Sequence, residues 1–121
     1  MFAKKILICD DNEGILDMLT LVLEDDFNVI TEQDSLNIYT LIEKEKPDLI
    51  VLDLWMPVLS GDLILKNLKK NPDFAGIPVL VISASVDGRN ISLDAGADDY
   101  LEKPFDVDVF QETITRRLAL R

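Results

Sequence analysis

Five short apolar runs set the terms for this chain: Lys5 to Cys9, Asn28 to Thr31, Leu49 to Leu52, Val79 to Ile82, and a weaker one from Tyr100 to Glu102. They are rich in Ile, Val and Leu and do not alternate with polar residues. A strand with one face in water alternates, whereas one covered on both faces does not. The runs are therefore expected to be strands of a parallel sheet buried on both sides.

The segments between them have helical spacing. Behind Asn12 as an N-cap, Ile15, Met18, Leu19, Val22 and Leu23 fall on one face. A second helix is expected from Ser35 to about Lys46, with Leu36, Tyr39 and Ile42 inward and Pro47 after its end. A third opens at Ser60-Gly61-Asp62 and turns Leu63, Ile64 and Leu68 inward. The last follows Asp106 as its cap and carries Phe110, Ile114 and Leu118. The fourth, from Val86 to Ala95, is weak, because it is short and holds Gly88 and Asn90; Gly96 reads as its C-cap. A βα unit repeated five times, with right-handed crossovers, makes a doubly wound α/β fold. Its 121 residues suit one domain, 1–121, with no linker or repeat.

Composition narrows the chemistry. Hydrophobic residues make up 48%, enough for a core without disulfides or a structural metal. The single cysteine, Cys9, lies inside an apolar run and reads as core in a reducing compartment. The N-terminal apolar run is too short for a signal peptide or a membrane span, so a cytoplasmic location is expected. There are 23 Asp and Glu against 12 Lys and Arg, a net charge of −11, which disfavours direct binding of nucleic acid. No histidine is present, so any chemistry must run on carboxylates, lysine and hydroxyls.

In doubly wound sheets, functional residues gather at the carboxyl ends of the strands. Those ends deliver Asp10-Asp11, Asp53, Ser83 and Lys103-Pro104. Three converging carboxylates repel one another unless a cation joins them. Mg²⁺, a hard ion that takes oxygen ligands and keeps several waters, fits that set. Lys103 adds a fixed positive charge and Ser83 a hydroxyl donor, which together would neutralise a phosphoryl group in transfer. Asp53 closes the central strand and is the natural nucleophile, giving an acyl phosphate. Each residue also has a plainer reading: Asp-Asp-Asn as a helix cap, Asp53 and Ser83 as turn residues, Lys103 as a solvated lysine. What favours the chemical reading is that four separate strand ends supply matched groups.

Four stretches in order carry a resemblance: Ile6-Leu-Ile-Cys-Asp10-Asp11; Asp48-Leu-Ile-Val-Leu-Asp53-Leu-Trp-Met-Pro57 with Gly61; Pro78-Val-Leu-Val-Ile-Ser83-Ala84; and Gly96-Ala-Asp-Asp-Tyr100-Leu-Glu-Lys103-Pro104-Phe105. Over its whole length the chain resembles a response-regulator receiver domain of two-component signalling. The resemblance implies a flavodoxin-like sheet of order 2-1-3-4-5. It implies Mg²⁺ held by Asp11, Asp53 and the backbone carbonyl of Trp55, with Asp10 acting through water. It implies a phosphoryl group passed to Asp53 from a histidine kinase or histidine phosphotransfer domain and bound by Lys103 and Ser83. Ser83 and Tyr100 would then switch the surface of the fourth helix, fifth strand and fifth helix toward a downstream effector, with the chain a monomer or weak homodimer. The Lys103–Pro104 peptide would be cis.

The chain departs from that pattern in three places. Ser83 to Lys103 is about two residues shorter than in typical relatives, which points to a shortened or irregular fourth helix and an altered partner surface. Trp55 sits two residues after Asp53, and Ser85 two after Ser83; neither orients water as an acid or amide would, so a slowly decaying phosphoaspartate is expected, the alternative being that Trp55 packs on a partner or is plain surface. No effector follows in this sequence, so the expected output is binding unless the sequence is part of a longer protein, and the tail Arg116-Arg-Leu-Ala-Leu-Arg121 ends abruptly on a helical pattern that fits either. Two rival classes fit poorly. A dehalogenase-like phosphatase needs a second Asp two residues past its nucleophile, where Trp55 stands. A flavodoxin-like cofactor binder needs a phosphate loop, where Asp10-Asp11-Asn12-Glu13 would repel phosphate. The remaining alternative is a degenerate receiver that docks partners without phosphorylation.

Overall fold

A computed structural model describes residues 3–119; the last two residues of the tail lie outside them. Five parallel strands, β1 (Lys5–Cys9), β2 (Asn28–Glu32), β3 (Leu49–Asp53), β4 (Val79–Ser83) and β5 (Asp99–Glu102), form one sheet in the order β2-β1-β3-β4-β5. Five α-helices follow the strands: α1 (Glu13–Leu23), α2 (Ile38–Glu45), α3 (Gly61–Lys70), α4 (Gly88–Ala95) and α5 (Val107–Ala119). This is the doubly wound arrangement that the apolar runs require.

Successive residues of each inner strand feed opposite cores. Leu7, Cys9, Ile50, Leu52, Val79 and Val81 pack with Ile38, Ile42, Ile64, Leu65 and Leu68 on one face. Ile6, Ile8, Leu49, Val51, Leu80 and Ile82 pack with Leu16, Leu19, Leu23, Phe110 and Ile114 on the other. Each such side chain fully withdrawn from water contributes roughly 1.5–3 kcal/mol. That two-sided burial is why the strands show no alternation. The edge strand β2 is only half-buried.

Several helix faces differ from the expected ones. In α1 the buried residues are Leu16, Leu19 and Leu23, while Met18 is exposed. The Ser35–Lys46 segment is split: a 3₁₀ turn spans Ser35–Asn37 and exposes Leu36, and α2 then buries Ile38 and Ile42. In α3, Leu63 is exposed and Leu65 takes its place inside. The rest of each expected face holds: Leu19, Leu23, Ile42, Ile64 and Leu68 are buried, and Ile15, Val22 and Tyr39 pack against the cores. A helix start fixed by its cap and by the preceding loop sets the limits of the buried face, which apolar spacing alone does not. The segment α4 is short, at eight residues, in line with the shortened helix expected, and it is regular within that length. It begins at Gly88 rather than Val86, which is exposed in the preceding loop. Gly96 closes it in the left-handed region, at φ 105°.

Candidate functional site

The carboxyl ends of β1, β3, β4 and β5 meet at one edge. Backbone ladder bonds continue past the strands and hold that edge in register: Asp10 N donates to Glu32 O at 3.2 Å, Leu54 N to Ile82 O at 3.0 Å, and Lys103 N to Ser83 O at 2.8 Å. Asp10 is wholly buried and Asp53 nearly so, whereas Asp11 is exposed. Carboxylate oxygens of the three lie within 4.8 Å of one another, and among the described residues this trio is a group that can hold a metal ion. The donor set is all oxygen and anionic, which suits a hard divalent cation.

Lys103 reaches across from β5. Its Nζ donates to Asp10 Oδ2 at 2.9 Å and to Asp53 Oδ1 at 3.4 Å. The lysine and Asp10 are 93 residues apart in sequence. Asp10 Oδ1 accepts from Asn12 N at 2.9 Å, and Asn12 in turn caps α1 through Ile15 N. The Asp-Asp-Asn run therefore serves the helix cap and the acidic site together. Burial, followed by the charge of Asp10, pushes the Asp53 carboxyl up from 3.8 to about 6; Lys103 opposes the rise and Asp11 adds to it. Burial and the same anionic surroundings raise the Cys9 thiol to about 12, so Cys9 is an inert core thiol.

Ser83 is buried at the end of β4, where its Oγ accepts from Ser85 N at 3.0 Å rather than from a group of the acidic cluster. Tyr100 on β5 is turned inward and 8% exposed, and its hydroxyl donates to Ser83 O at 3.4 Å. Gly88 permits this: a side chain there would collide with the Tyr100 hydroxyl and crowd Ser83. Arg89 covers the outer face of the ring, its guanidinium 5.0 Å from the centroid. Trp55 is half-exposed beside the site, and the Lys103–Pro104 peptide is cis.

Sequence reasoning read Gly88 only as a helix breaker and passed over Arg89, Met56 and Ser35. The thiol of Cys9 donates to Met56 Sδ at 3.6 Å, and Ser35 bonds to the loop after β3. No local pattern marks such contacts, because their partners lie 22 to 47 residues away.

The chain matches the response regulator receiver domain over residues 6–115. It belongs to that family. It is 37% identical over 113 residues to the transcriptional regulatory protein KdpE of Staphylococcus aureus, covering 91% of this chain and 48% of that protein. It is 38% identical over 120 residues to the alkaline phosphatase synthesis transcriptional regulatory protein PhoP of Bacillus subtilis, covering 94% and 49%. The chain thus spans about half the length of the curated relatives it matches. Among solved structures, the CheY-like receiver domain protein of Methanospirillum hungatei superposes with a TM-score of 0.88 at 29% identity, covering 97% of this chain and 94% of that one. This receiver domain is a module of two-component signalling. No described helix is long and apolar enough to cross a membrane.

Proposed function

We propose that residues 1–121 act as one phosphorylation-switched receiver domain with Asp53 as the acceptor. The observation that carries this reading is Lys103 bridging Asp10 and Asp53 beside a third carboxylate, a ready arrangement of fixed charge around one nucleophile. A carboxylate oxygen of Asp53 attacks the phosphorus of a phosphohistidine on a kinase or phosphotransfer domain. The phosphorus–nitrogen bond breaks, the imidazole leaves with the electron pair, and an acyl phosphate forms on Asp53. Mg²⁺, held by Asp10, Asp11, Asp53 and the Trp55 carbonyl, supplies charge neutralisation on the phosphoryl oxygens when bound.

Lys103 and the Ser83 hydroxyl bind those oxygens. Lys103 then exchanges a carboxylate partner for the phosphoryl group, and Ser83 gives up the Ser85 amide. Tyr100, already bonded to the Ser83 carbonyl, couples that change to the surface of α4, β5 and α5, where a downstream effector binds. The domain catalyses only its own phosphorylation and slow dephosphorylation. It works in the cytoplasm as a monomer or weak homodimer and contacts no nucleic acid directly.

Intact mass after incubation with acetyl phosphate and Mg²⁺ tests this. Wild type should gain the mass of one phosphoryl group, dependent on Mg²⁺, and Asp53→Ala should gain none. A folded, Mg²⁺-binding wild type that stays unmodified would instead mean a docking module that works without phosphorylation. Modification persisting in Asp53→Ala would place the acceptor elsewhere.

A further inference from the structure

The loop after β3 contains a feature that apolar packing does not explain. Val58 is a β-branched residue at φ 72°, in the left-handed region, and it is 76% exposed. Branched side chains rarely adopt that backbone, and no core contact compensates here. The residue sits at the centre of a three-residue turn in which Leu59 N donates to Pro57 O at 2.9 Å. A γ-turn with positive φ at its centre is the rare and strained form. Such a turn persists only where its surroundings hold it.

Ser35 does the holding. It is 2% exposed, and its Oγ donates to Pro57 O at 2.7 Å while accepting from Leu59 N at 3.2 Å. One hydroxyl therefore closes on both ends of the strained turn. Its own position is fixed, since Asp34 caps the short 3₁₀ segment: Asp34 Oδ1 accepts from Leu36 N at 2.9 Å and Asp34 O from Asn37 N at 3.1 Å. The loop is tied upstream by Leu54 N to Ile82 O and by Met56 Sδ to the Cys9 thiol, and is closed from beyond the turn by Gly61 N to Leu54 O at 2.6 Å. Trp55 lies inside this set of anchors, and the Ser35 pair is the one that holds the Pro57–Val58–Leu59 turn itself.

We propose that Ser35 is a positioning residue for the cation site: by clasping both ends of the Pro57–Val58–Leu59 turn, it fixes the path of the loop that brings the Trp55 carbonyl toward Asp53. This rests on the reading of Asp10, Asp11, Asp53 and the Trp55 carbonyl as a Mg²⁺ site. A small hard cation demands near-ideal ligand geometry, so a loop carbonyl that wanders binds it less well. Ser35 reaches no metal ligand itself; it acts through the turn.

The test titrates Mg²⁺ alone into wild type, Ser35→Ala, Val58→Gly and the double variant, followed by calorimetry and by the emission of Trp55, the single tryptophan. Ser35→Ala should weaken Mg²⁺ binding by about threefold to tenfold, the range that net hydrogen bonds of ordinary strength support. Adding Val58→Gly should recover most of the loss, because glycine takes positive φ without a clasp. A general packing defect at residue 35 would not be rescued by a glycine in another segment. Ser35→Ala binding Mg²⁺ as tightly as wild type would overturn the proposal, as would a double variant no better than Ser35→Ala. If wild type took up no Mg²⁺, the metal reading would fail by itself. The clasp would then be judged by hydrogen exchange at the Leu59 amide: faster exchange in Ser35→Ala, by about tenfold on the same hydrogen-bond scale, supports it, and unchanged exchange refutes it.

Discussion

Asp53 combines two demands that pull its chemistry in opposite directions. Burial beside Asp10 raises its carboxyl to about 6, while Lys103 at 3.4 Å stabilises the anion. In the metal-free protein the folded state therefore holds a proton that the unfolded state releases between about pH 4 and pH 6. Stability from this residue is present below that window and lost as pH rises through it. Replacing Asp53 with Asn should leave the metal-free protein more stable than wild type at pH 7, by on the order of 2 kcal/mol, with the gap shrinking toward pH 4. Urea titrations of both proteins across that range measure it; a constant gap would mean Asp53 carries no raised pKa. Trp55, half-exposed at the rim, sets a second expectation. An indole cannot hold and orient an attacking water as an amide can. Trp55→Asn should therefore shorten the lifetime of phosphorylated Asp53, several-fold or more, as followed by intact mass after donor removal. An unchanged or longer lifetime would remove Trp55 from any role in water access.

At the scale of elements, α4 is the one built with least to spare. It has eight residues, starts on a glycine, lacks a side-chain bond at its N-cap Asp87, and buries a Ser92 hydroxyl that finds no hydrogen-bond partner among the described residues. The sequence pattern marked this helix as weak but not the reason for its first residue. Helix propensity favours Ala over Gly by about 1 kcal/mol. At position 88, however, a methyl would meet the Tyr100 hydroxyl and lie 3.1 Å from Ser83 Cβ and Oγ. Overpacking of that kind costs roughly 1–3 kcal/mol. Gly88→Ala should therefore destabilise the protein by about 1 kcal/mol net and drive the Tyr100 ring outward. Denaturant midpoints and the ¹⁹F signal of fluorotyrosine at Tyr100 would report both effects. A more stable variant with an unmoved ring would show that the helix start has room to adjust.

For the whole molecule, the sheet edge concentrates negative charge on a chain that already carries a net −11. Asp10 and Asp53 are buried there with Lys103 as their shared cation, and the exposed Asp11 completes the trio. A divalent cation that binds the folded site and ignores the unfolded chain stabilises by mass action, about 2.7 kcal/mol at a hundredfold excess over its dissociation constant. Millimolar Mg²⁺ should raise the melting temperature of wild type, with equal ionic strength of NaCl as the control. Asp11→Ala should lose most of that increment, because the exposed Asp11 contributes little else. Equal responses from Mg²⁺ and NaCl would mean general screening of the acidic surface and no specific site.

The repetition of β and α, the burial of three inner strands on both faces, and the placing of Asp10, Asp11, Asp53, Ser83 and Lys103 at one edge were legible in the chain alone. Those features depend on local periodicity and on a topological rule, and both act over a few residues at a time. The limits of the buried faces of α1, α2 and α3 were not legible, since whether Leu16, Ile38 and Leu65 go inside while Met18, Leu36 and Leu63 stay out depends on the caps and loops that fix where each helix begins. Nor could the sequence show that Lys103 would meet both Asp10 and Asp53, that Gly88 would make room for Tyr100, or that Ser35 would hold a strained Val58. Each of these is a contact between residues far apart in the chain, and a residue's type says what it can bond to while only the folded packing says what stands within reach.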